Sequence, residues 1–147
     1  MLTAPKSVYM ISFFGFIPFL PGVIFTIGPS EFLGIKDDIF INLSLVYAGL
    51  ILSFLSGCLF SFEVTKNSNP KWIDILIILL PTIWVLIALN IAYVNFRATA
   101  LALGFLITYE LDNRYSKKGL TPKWWLSLRL PLTTLVIISL IVMGFHD

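Results

Sequence analysis

The sequence predicts an all-α fold: one integral membrane bundle of five transmembrane helices, with a short interfacial helix before the last. Three observations lead there. First, 58% of the 147 residues are hydrophobic and 12% are charged, with a mean hydropathy of +0.93. A soluble domain carries about 25% charged residues, so these charges are too few to cover a water-exposed surface of this size. Second, the apolar residues fall in runs long enough to cross a bilayer, separated by short polar stretches. Third, the cations gather in two of those stretches, at Lys66 and Lys71 and between Arg114 and Arg129. The length fits a single polytopic domain, residues 1–147, and not two.

Val8 to Ile27 is the first run, about 20 residues, matching a ~30 Å hydrocarbon core at 1.5 Å per residue. Pro18 and Pro21 interrupt it. Each removes a backbone donor and crowds the preceding turn, so a kink or break is expected near Pro18. Carbonyls freed there need partners, which predicts that this face packs on protein. A cleaved signal peptide is the rival reading. The weak basic lead, Lys6 alone, and the absence of a small-x-small site argue against it.

Gly28 to Asp38 reads as a loop; Lys36 against Glu31, Asp37 and Asp38 gives it a net charge of −2. Ile39 to Phe62 is the second span. Gly49, Ser53, Gly57 and Ser61 recur there every fourth residue, beside a neighbouring row of Ala48, Leu52 and Ser56. Small residues at that spacing let another helix approach closely, so the Gly49–Ser61 row reads as a helix-packing seam for an internal or external neighbour. A polar path through the bundle is the alternative.

Glu63 to Trp72 is a polar loop with an Asn-Pro turn signal. Ile73 to Ile91 is the third span, with Pro81 inside it. The polar string Asn90 to Arg97 predicts a tight turn, with Arg97 snorkelling to the far interface. Ala98 to Leu111 is then a short fourth span of about 14 apolar residues, or about 17 if extended back to Asn95, the lower limit for crossing. One long broken helix from Ile73 to Leu111 is the alternative.

Asp112 to Gly119 reads as loop. Thr121 and Pro122 resemble an N-cap and the favoured first-turn proline of a helix, with Trp124 and Trp125 at headgroup depth. Pro131 and its restricted neighbour Leu130 predict a bend around Arg129. The fifth span follows, Pro131 to Phe145, and His146 and Asp147 end the chain.

With the N-terminus in the cytoplasm, Lys6, Lys66, Lys71, Arg114, Lys117, Lys118, Lys123 and Arg129 lie inside; Lys36 and Arg97 lie outside. Eight of the ten basic residues then share one side, so the positive-inside bias predicts N-in and C-out. Localisation follows as the cell inner membrane, or the mitochondrial inner membrane in a eukaryote.

The string GFLITYELDNRYSKKGLTPKWWLSLRLPLT resembles the C-terminal half of the transmembrane protein 69-like family. The matching positions are Gly104, Phe105, Asp112, Pro122, Trp124, Trp125, Leu128, Arg129, Leu132 and Thr133. YAGLILSFLSG, Tyr47 to Gly57, is similar to a second element of that family, and PTIWVLIAL, Pro81 to Leu89, to its proline-containing third helix. The resemblance covers residues 13–140 or so. It implies a small multi-span protein of bacterial or mitochondrial inner membranes, catalogued as a domain of unknown function. Family members often carry His-Trp-Gly where this chain has Leu59, Phe60 and Ser61, so no role passes over through that histidine.

Among candidate site residues, Asp112 and Arg129 lie at the inner ends of adjacent spans, where a guanidinium and a carboxylate can pair in a fixed fork. They read as a staple between helix ends, or as a grip on a lipid phosphate or partner acid. Trp124 and Trp125 read as interface anchors, or as a ligand platform. Glu110 sits near a helix C-terminus, where negative charge is disfavoured, and Arg114, four residues on, or a nearby lysine compensates it. Cys58 reads as a packing residue; His146, the single histidine, has no second histidine to share a metal.

No carboxylate, lysine or histidine falls at a predicted midplane, where proton relays and ion-coupled transporters place one. No Ser-His-acid set, phosphate-binding glycine loop or metal cluster is present. The sequence therefore implies no enzyme, no cofactor, no metal and no nucleic-acid partner. The partners implied are the lipid bilayer, other membrane proteins or further copies of the chain. The leading expectation is a non-enzymatic accessory or assembly component. A small transporter or channel for an uncharged solute, formed between the kinked first and third helices, is the second reading, and a lipid-modifying enzyme the third.

Overall fold

A computed structural model describes residues 4–28, 31–32 and 35–145 of the chain. The order is α1 (Lys6–Phe14), α2 (Phe19–Ile27), β1 (Glu31–Phe32), β2 (Ile35–Lys36), α3 (Asp37–Lys66), α4 (Trp72–Leu89), α5 (Val94–Lys117) and α6 (Trp125–Met143). The two-residue strands pair antiparallel within the loop between α2 and α3; the rest is helix and turn. Four segments are long and apolar enough to cross a membrane: Lys6–Ile27, Asp38–Lys66, Trp72–Leu89 and Trp125–Met143. His146 and Asp147 lie outside the described residues.

The break expected near Pro18 is a tight turn over residues 15–18. Pro18 has no N–H for the Gly15 carbonyl, and the Phe19 N–H goes to Phe16 instead. The Tyr47 hydroxyl of α3 donates to Gly15 O at 2.8 Å. Ser44 Oγ, one turn earlier, donates to Pro18 O at 2.9 Å and accepts from Gly22 N at 3.1 Å. Two hydroxyls of α3 thus hold the broken ladder, as an apolar surround requires. Gly22 permits the approach: a Cβ there would stand 2.5 Å from Met143 Sδ and 2.6 Å from Ser44 Oγ.

α3 and α5 form the centre, with α2, α4 and α6 packed around them. The core runs through Ile41, Leu45, Ala48, Leu52 and Leu55 of α3, Leu101 and Phe105 of α5, and Val136, Leu140 and Met143 of α6. On α3 the buried stripe is therefore the Ala48, Leu52 and Ser56 row. In the Gly49 row, Gly49 is buried against Val85 and Leu89 of α4, Ser53 is half-buried, and Gly57 and Ser61 are exposed.

α5 departs from the short fourth span expected over Ala98 to Leu111. It is 24 residues, about 36 Å at 1.5 Å per residue, and continues past Asp112 where a loop was expected. Two causes explain the difference. One face of α5 packs on protein, so small residues such as Ala98, Ala102 and Gly104 stand there in place of large apolar ones; a Cβ on Gly104 would meet Leu52 at 2.5 Å and Trp84 at 3.0 Å. Its last turns carry charges that pair within the fold.

The single broken helix over residues 73–111 is also set aside. α4 ends at Leu89, a turn follows, and α5 returns alongside it, with Trp84 Nε1 donating to Ala100 O at 2.7 Å. Arg97 is bonded at this end of the bundle: Nε donates to Ile91 O at 2.9 Å and Nη1 to Asn42 Oδ1 of α3. Pro81 sits buried within α4, and the Ser56 hydroxyl donates to the Ile78 carbonyl one turn before it.

The interfacial helix and the last span are a single helix. α6 starts at Trp125, after a turn closed by Trp125 N on Pro122 O at 2.9 Å, and runs through Pro131. The carbonyl that Pro131 leaves without a donor belongs to Ser127, an exposed residue near the helix end. Trp125 and Arg129 before the proline, and Thr133 and Val136 after it, are buried on the same bundle. Tertiary packing on both sides keeps the helix in line.

Candidate functional site at the end of the bundle

Asp112 lies in the penultimate turn of α5, fully buried at 0% exposure. Arg129 lies one turn into α6, 4% exposed. Arg129 Nε donates to Asp112 Oδ2 at 2.8 Å, and Trp125 Nε1 donates to Oδ1 at 2.7 Å. Trp125 and Arg129 are four apart on α6, so both face α5 together. Each carboxylate oxygen has one donor, and the guanidinium charge offsets the carboxylate charge out of water. Phe62 of α3 packs edge-on against Trp125 at 5.0 Å between ring centroids, closing the third side.

The two tryptophans are divided. Trp125 is buried and bonded to Asp112. Trp124, half-buried, occupies the N-cap position of α6, with its ring 6.1 Å from that of Trp125. Sequence reasoning paired Asp112 with Arg129 but missed the indole as the second donor. The i, i+4 spacing of Trp125 and Arg129 was the available signal.

Two further features were not foreseen. Glu63 is 1% exposed inside α3, accepting from Asn67 Nδ2 at 2.6 Å with Tyr115 of α5 beside it. Glu110, by contrast, is exposed and bridged to Arg114 Nε at 2.9 Å. The second feature is a cavity of about 450 Å³ beside the ion pair, between α1, α3 and α6. Its walls are almost wholly apolar, and Arg129, Trp125 and Cys58 line one end. That volume lies in the range of about 300–1,000 Å³ occupied by small-molecule pockets. Among the described residues, no group of three or more metal-ligating side chains comes together.

The family described as "Protein of unknown function (DUF3429)" matches residues 4–145 of the chain. No curated protein and no solved structure matches it.

Proposed function

The chain belongs to the DUF3429 family of proteins of unknown function, and we propose that it is an accessory or assembly component of an inner membrane. It crosses the bilayer five times, α5 being the additional span, with the N-terminus cytoplasmic and the C-terminus outside. It performs no catalysis and acts by binding other membrane proteins or a second copy of itself. The C-terminal string that resembles the transmembrane protein 69-like family supports placing it with that group.

The observation that carries this reading is the Gly49 row of α3. Gly49 packs against α4 inside the bundle, yet a Cβ built on Gly57 meets nothing within 4 Å, and Ser61 is exposed. The row leaves the bundle while keeping the small residues that let a second helix approach. Mild-detergent purification followed by native mass spectrometry tests it. The intact chain should carry a membrane-protein partner or a second copy, and Gly57→Leu should release it. A lone monomer in both preparations would overturn the reading.

A second reading, a transporter or channel for an uncharged solute, draws on the apolar cavity. The cavity lies against α1, α3 and α6, with no lining residue from α4. Solute flux in liposomes that Gly57→Leu leaves unchanged would favour it.

A further inference from the structure

The ion pair and the cavity meet at Arg129. A guanidinium has five N–H donors. Nε is bonded to Asp112, while Nη2 is buried without a hydrogen-bond partner. Leaving such a donor unmatched out of water is unfavourable. Arg129 also lines the cavity, whose other walls are residues such as Phe16, Phe19, Ile51 and Leu132. An apolar chamber with one buried, partly unmatched cation in its wall fits a guest with one anionic group and a long apolar body.

The position of the cation fits the same guest. Arg129 is one turn into α6, Cys58 lies toward the C-terminal end of α3, and Val8 lies in the first turn of α1. These mark the end of the bundle where residues 112–129 carry five basic side chains against one acid, Asp112. From there the cavity walls run inward, about 16 Å along α3 from Cys58 to Tyr47. Charge at the edge and apolar walls toward the middle is the polarity of a lipid in one leaflet. The rim residues Ile11 and Phe54 are 71% and 66% exposed, so the chamber opens sideways between α1 and α3. α1 forms one wall although none of its residues is buried.

We infer that this cavity binds one acidic acyl amphiphile, its chain between α1, α3 and α6 and its anionic oxygen on the Nη edge of Arg129. The anion shares the guanidinium with Asp112 through a charge-assisted hydrogen bond. The acid is either the phosphate of a phospholipid or the carboxylate of a fatty acid. This site is separate from the exposed Gly57 row and does not depend on a protein partner.

Cys58, the single cysteine of the chain, lines the cavity and serves as the reporter. The full chain in a neutral detergent is alkylated with a maleimide while dodecanoate, a lysophosphatidylglycerol or dodecanol is titrated in. One or both acids should slow alkylation of Cys58, and dodecanol should not; whichever acid protects names the source. Arg129→Gln should weaken protection about tenfold, the loss expected for one charge-assisted hydrogen bond. Leu132→Trp fills the chamber while both Arg129 and Asp112 are retained, and should abolish protection, which keeps the test decisive if Arg129→Gln fails to fold. Equal protection by dodecanol, no protection by either acid, or full protection in Leu132→Trp would overturn the inference.

Discussion

Two donors, the Arg129 guanidinium and the Trp125 indole, reach the two oxygens of the buried Asp112 carboxyl. Removing one partner leaves a charge buried without compensation, which costs about 3–5 kcal/mol, whereas replacing both with apolar groups of similar size is often neutral. Asp112→Leu and Arg129→Met should therefore each destabilise the chain strongly, and the double substitution should recover most of the loss. Unfolding in mixed micelles, followed by tryptophan emission, measures this cycle. Additive losses would show that the pair does not act as a unit.

Between helices, the glycines separate contact from exposure. Gly22 and Gly104 stand where a Cβ would meet neighbouring side chains at 2.5 Å, whereas Gly57 faces open space. Overpacking a fitted contact costs about 1–3 kcal/mol. Alanine in place of an exposed helical glycine stabilises by about 0.5–1 kcal/mol. Gly22→Ala and Gly104→Ala should thus lower the melting temperature of the detergent-solubilised chain, and Gly57→Ala should raise it. Helix lengths obey the same packing. The Pro18 break was legible because a proline deletes a donor wherever it sits. The continuity of α6 through Pro131 was not, because it depends on what Trp125, Arg129 and Thr133 touch.

Across the whole molecule, charge distribution sets the expected topology. Cysteines introduced at Lys66 and Lys118, in a Cys58→Ser background, should react with an impermeant thiol reagent from one side of the membrane, and those at Lys36 and Arg97 from the other. The positive-inside bias requires this of five spans. Labelling of the Lys66 and Lys118 positions from opposite sides would remove one crossing and separate the two basic segments.

Composition and the spacing of apolar runs predicted by themselves a helical chain with segments long and apolar enough to cross a membrane, because backbone polar groups in hydrocarbon have few ways to be satisfied. They also pointed to Asp112 and Arg129, since charges beside long apolar runs stand out. Local patterning could not size α5, whose small residues and terminal charges read as weak membrane character until α3, α4 and α6 surround them. Nor could it foresee the buried Glu63, the indole on Asp112, or the cavity against Arg129. Those arise where residues far apart in the chain come within a few ångströms, and only tertiary packing decides which side chains meet.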